Sequence, residues 1–120
     1  MPKLGILFFD GPYQKQASES VCKIANAALD KGHSVRIFCY MDAVNAVLEK
    51  QKKIEGIMNI EEGFKEILSK GATIRLCNIC LLVRGTMKNC ITKESGDIKK
   101  AGTPDLARII DETDRLIVIC

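Results

Sequence analysis

A chain of 120 residues with 47% hydrophobic and 28% charged residues is long enough to enclose a core and polar enough to remain folded in water. Its net charge of +3, the lack of any run of five basic residues, and 5% aromatic content without tryptophan argue against a surface for nucleic acid. The apolar run ahead of Asp10 is too short for a signal peptide or a membrane span, so the sequence predicts one cytoplasmic domain over residues 1–120 with no membrane contact.

In chain order, Leu4, Ile6, Leu7, Phe8 and Phe9 make Lys3 to Phe9 a nearly continuous apolar run, as expected of a strand covered on both faces. Asp10-Gly11-Pro12-Tyr13 breaks the run. Ala17, Val21, Ile24, Ala25, Ala28 and Leu29 then recur at the spacing of one helical face, closed by Gly32 as a left-handed cap. Val35 to Tyr40 is a second apolar strand. Met41-Asp42 opens a short helical pattern, with Asp42 as N-cap and Val44, Val47 and Leu48 on one side. Glu49 to Met58 reads as an exposed polar loop. Asn59, with Glu62 three residues on, fits a capping box for a helix striped by Ile60, Phe64, Ile67 and Leu68 and ended by Gly71. Ala72 to Leu76 is the third strand. Thr86 to Gly102 has little regular pattern, and Asp97-Ile98-Lys99-Lys100 reads as either a minor strand or a loop. Thr103 as N-cap, with Pro104 at the first helical position, begins a helix faced by Leu106, Ile109 and Ile110. Leu116 to Cys120 is the closing strand.

Strands alternating with helices predict a three-layer α/β/α fold around a mainly parallel sheet of four or five strands. Sites in such sheets form beyond the carboxyl ends of the strands. A strand order beginning 2-1-3 would set the loop Asp10 to Ala17 beside Cys77 to Gly85. Parallel strands also carry Cys39, the Cys77–Cys80 loop and Cys120 to that edge, whereas Cys22, inside the first helix, reads as a packing residue.

The third strand delivers Cys77-Asn78-Ile79-Cys80, followed by Arg84-Gly85. A Cys-x-x-Cys at a strand end lets two sulfurs reach a common point, and a helix starting there, with the Arg84 cation, would favour thiolate. Cys80, nearer Arg84, is then the more acidic thiol. The six cysteines, with no signal peptide, read as reduced thiols. Zinc has weak support: there is one Cys-x-x-Cys, Cys90 offers a third ligand without an obvious fourth, and His33 stands alone. A single histidine leaves no Ser-His-Asp set, and neither a Walker loop nor a Gly-x-Gly-x-x-Gly occurs, so no metal and no cofactor is expected. Three readings stay open: a persulfide carrier, a reversible dithiol–disulfide pair of Cys77 and Cys80, and a non-catalytic assembly or metal-binding module. Apolar residues in polar segments, Ile57, Met58 and Met87, are candidates for subunit contacts.

Gly11-Pro12-Tyr13 after the first strand, Met41-Asp42-Ala43-Val44 after the second, and Leu76-Cys77-Asn78-Ile79-Cys80 with Arg84-Gly85 after the third resemble the DsrE/DsrF-like proteins, which include sulfur-relay subunits. The resemblance runs along essentially the whole chain, and its most specific part is the cysteine loop. It implies a flavodoxin-like fold and a homo-oligomer, trimer or hexamer, of the two-cysteine type, with hetero-subunits in the relay complexes. It also implies persulfide sulfur on a cysteine that falls at Cys80, with Cys77 matching the first cysteine of two-cysteine members. Partners would be sulfur donor and acceptor proteins. Gly11, Pro12 and Tyr13 become candidates for a substrate loop beside the catalytic candidates Cys80, Cys77 and Arg84.

Overall fold

The computed structural model describes residues 2–120. Five strands, β1 (Lys3–Phe8), β2 (Ser34–Cys39), β3 (Thr73–Cys77), β4 (Asp97–Ala101) and β5 (Arg115–Ile119), alternate with four helices. These are α1 (Ala17–Asp30), α2 (Ile60–Ser69), α3 (Asn78–Arg84) and α4 (Thr103–Glu112). Short 3-10 helices cover Met41–Val47 and Lys93–Ser95.

All strand pairs are parallel, in the order β4-β3-β2-β1-β5. The register aligns Ile6, Ile37, Ile74 and Ile98 across four strands. All four are buried, which explains why these segments read as continuous apolar runs. From β1 the chain steps outward through β2, β3 and β4, then returns to β5 on the far side of β1. Reversing the direction of travel moves a right-handed crossover to the opposite face. Accordingly α1 and α2 pack together on one face, where Phe8 stacks on Phe64 with ring centroids 6.2 Å apart. Helix α4 lies on the other face, so close to β1 that a Cβ on Gly5 would sit 3.1 Å from Ile109 Cγ2. The result is the flavodoxin-like three-layer α/β/α class, with five strands.

The strand order does not begin 2-1-3. Strand β2 lies between β1 and β3, so the loop after β2, not the loop after β1, is the neighbour of the cysteine loop. Asp42 caps nothing: Tyr40 precedes the first 3-10 helix, no side chain caps it, and the Asp42 carboxylate is taken by Arg84 instead. The N-cap of α4 is Gly102, which places Thr103 and Pro104 one position further in, and Asp105 accepts from the Gly102 N–H at 3.1 Å. Asp97 to Lys100 resolves as an edge strand, because Ile98 is buried beside Ile74. Asn59 caps α2 as expected, accepting from the Glu62 N–H at 2.9 Å. Gly32 takes its left-handed conformation with φ of 84°. Ile24 is exposed, not part of the buried face of α1. Met58 and Met87 pack against the core, whereas Ile57 is exposed. No helix among the described residues is long and apolar enough to cross a membrane.

Candidate functional site

Cys77 is the last residue of β3, and Cys80 sits within the first turn of α3. Because Cys77 pairs in register with Ala101 and lies one residue beyond the Cys39–Leu76 pair, Tyr40, Cys77 and Ala101 form one row on the α4 face of the sheet. Above that row opens a cleft of about 510 Å³, walled by Tyr40, Met41, Ile79, Val83 and Pro104 with both cysteines in its lining. Cys80 is only 5% exposed and lies on the floor, while Ile79 and Val83 stand 68% and 74% exposed at the rim.

The Cys80 sulfur accepts a hydrogen bond from the backbone N–H of Met41 at 3.2 Å. Met41 reaches that position in the left-handed region, with φ of 56°, an uncommon conformation for a long side chain. Locally strained backbone that aims an N–H at a sulfur is the kind of feature that functional sites retain. Arg84 leans back across α3: its Nε donates to Asp42 Oδ1 at 2.8 Å and its Nη1 to the Cys80 carbonyl at 3.1 Å. Burial first, then the neighbouring Cys77 thiol, pushes the Cys80 thiol above its ordinary value, and the Met41 N–H and the Arg84 charge pull more weakly the other way. Burial therefore opposes the thiolate that the start of α3 and Arg84 would favour at Cys80. Desolvation outweighs a guanidinium whose charge Asp42 already balances.

The sequence profile of the DsrE/DsrF-like family matches residues 2–119. The chain belongs to the DsrE/DsrF-like family. It is 50% identical over 44 residues to the DsrE protein of Allochromatium vinosum, whose name proposes a sulfurtransferase activity for it; that match spans 36% of this chain and 34% of its relative. An uncharacterised protein of Methanocaldococcus jannaschii, MJ0989, is 26% identical over 96% of this chain and 97% of its own. The crystal structure of the ychN protein from E. coli superposes with a TM-score of 0.86 at 26% identity, covering 98% of this chain and 99% of the other.

In this DsrE-like chain the loop after β1 stands apart from the thiols. Gly11 and Pro12 line a separate open cleft with Asp42, Asn45, Arg84 and Thr86, so they approach the far side of Arg84 rather than the sulfurs. Tyr13, itself left-handed with φ of 65°, turns away: its hydroxyl donates to Gln51 Oε1 and accepts from the Ile60 N–H. Gln51, in the stretch read as a plain exposed loop, also donates to the Ala46 and Leu48 carbonyls, and so ties that loop to Tyr13. Cys39 ends β2 and Cys120 follows β5, both at the carboxyl edge as the topology requires. Cys22 packs between α1 and α2, where a Cβ on Gly63 would meet its sulfur at 3.0 Å. Cys90 donates to the Thr86 carbonyl rather than joining the pair, and the His33 N–H closes α1 on the Ala28 carbonyl. Among the described residues no three His, Cys, Asp or Glu side chains gather as a metal site.

Met41, Asp42 and Tyr40 were not legible as site residues. Met41 contributes a backbone group, and the Asp42–Arg84 pair joins positions 42 residues apart. That pair gives a measurable outcome. In Asp42→Asn, Arg84 loses its counter-charge, so the Cys80 thiol falls in pKa and its alkylation near neutral pH quickens by about two- to fivefold. Arg84→Ala moves the rate the opposite way. Cys120 is the one exposed cysteine of the six, so labelling of the native protein modifies Cys120 first, and these rates are read in a Cys120→Ser background.

Proposed function

We propose that the chain carries sulfane sulfur as a persulfide on Cys80 and passes it to an acceptor thiol. The observation that carries this reading is the Cys80 sulfur held by the Met41 N–H on the floor of an apolar cleft beside a second thiol. In loading, the Cys80 thiolate attacks the outer sulfur of a donor persulfide. The donor S–S bond breaks, and the donor thiolate leaves with the electron pair. In unloading, an acceptor thiolate attacks the outer sulfur and Cys80 leaves as thiolate. No net oxidation occurs, and no metal enters either step. The sulfurtransferase activity named for the Allochromatium relative supports the same chemistry. Intact mass after incubation of the Cys120→Ser chain with inorganic polysulfide tests it: one added sulfur per chain is expected.

The neighbouring Cys77 thiol favours a second reading, a reversible Cys77–Cys80 disulfide. It predicts loss of two hydrogens under mild oxidation with no sulfur uptake from polysulfide.

We also propose that the protein assembles as a homo-oligomer, a trimer or a hexamer. Ile79, Leu82 and Val83 expose apolar side chains along a single short helix, more than an isolated surface ordinarily leaves open. Sedimentation at micromolar concentration should give a multiple of the 13.3 kDa chain, and a monomer throughout would end the idea.

A further inference from the structure

Away from Cys77 and Cys80, a second cleft of about 480 Å³, lined in part by Cys90, opens between the segment Met87 to Lys93 and the edge strand β4. Its floor includes the buried residues Leu76, Ile91 and Ile98, and its rim carries four exposed lysines, Lys88, Lys93, Lys99 and Lys100. None of the four pairs with a carboxylate among the described residues, and no acid lines the cleft. Four local charges exceed the net charge of +3 of the whole chain. Strand β4 has a partner on one side only, so its outer edge faces no neighbouring strand. Lysines on an edge deter indiscriminate pairing, yet they accept an added strand that sets carboxylates opposite them.

We propose that this cleft docks an extended acidic segment of a partner protein, laid along β4 as an outer strand with its carboxylates on the four lysines. Lys99 and Lys100 project to opposite faces of β4, so alternating side chains of the segment meet both. Apolar residues between the acids would lie over Ile91 and Ile98. Nucleic acid fits less well, because neither an aromatic ring for base stacking nor an arginine lines the cleft. Lys100 lines this cleft and the next residue, Ala101, lines the thiol cleft, so a segment running along β4 is directed at Cys77 and Cys80. In that respect the inference rests on the persulfide-carrier reading, and it supplies the chemistry of the donor or acceptor.

The test titrates the full chain into a fluorescein-labelled peptide of alternating glutamate and valine and follows anisotropy. Saturable, salt-sensitive binding is expected, weakened about tenfold when Lys88→Ala, Lys93→Ala and Lys100→Ala are combined and retained when the same three become arginine. Amide shifts on peptide addition should concentrate in β4 and the segment Lys88 to Lys93. No binding, binding that the alanine variant leaves unchanged, or preference for a uridine oligonucleotide of equal charge overturns the docking proposal. The alanine variant should load sulfur from polysulfide as wild type does. Failure of both proteins to load counts against the carrier reading alone.

Discussion

In a Cys120→Ser background, Cys80→Ser is expected to abolish sulfur uptake from polysulfide, with the intact mass unchanged where the chain that keeps Cys80 gains one sulfur atom. Serine is only slightly smaller than cysteine and can still accept from the Met41 N–H, so the fold and the cleft persist. What disappears is the thiolate, the only form that attacks a persulfide at a useful rate. Cys77→Ser should still load. In the wild-type chain Cys77 can attack the inner sulfur of the Cys80 persulfide, forming the Cys77–Cys80 disulfide and releasing hydrogen sulfide. Removing Cys77 closes that route and lengthens the life of the loaded form. Because burial holds the Cys80 thiol above its ordinary value of 9.0, the loading rate of the isolated chain should climb with pH through and beyond that value. Equal loading of wild type and Cys80→Ser, with loss in Cys77→Ser, would transfer the carrier role to Cys77.

Features set by local sequence were legible. The apolar strands β1 to β3, the Asn59 cap and the Cys-x-x-Cys at the end of β3 depend on residues close together in the chain, where apolar spacing and side-chain chemistry decide the outcome. The order of strands was not, because apolar strands of similar length carry no label of their neighbours. Placing β2 between β1 and β3 exchanged the expected neighbour of the cysteines, Gly11-Pro12-Tyr13, for Tyr40 and Met41. What opposes ionisation of Cys80 is hidden in the sequence for a related reason. Sequence displays Arg84 four residues away but conceals both the Asp42 carboxylate that engages it and the burial that opposes ionisation.

The buried thiols away from the cleft should make the fold sensitive to alkali. Burial, reinforced by Glu66 and Glu19, pushes Cys22 from 9.0 up to about 12, and burial with the nearby Cys22 and Cys90 holds Cys39 up as well. For such groups the folded state retains its proton where the unfolded chain has lost it. Their contribution to stability is whole below pH 9, falls as pH rises above it, and is exhausted only beyond the folded value. Each thiol then removes about 1.4 kcal/mol per pH unit. Cys22 alone then removes about 3 kcal/mol by about pH 11, a large share of the stability of many domains of this size, and Cys39 acts in the same direction. Urea midpoints should therefore hold steady to about pH 9 and collapse over the next two units. Cys22→Ala separates this effect from packing. Truncation between α1 and α2 lowers stability at neutral pH, yet the decline above pH 9 should become shallower by about 1.4 kcal/mol per unit. Parallel declines in the wild type and the variant would show that Cys22 keeps no proton that the unfolded chain gives up.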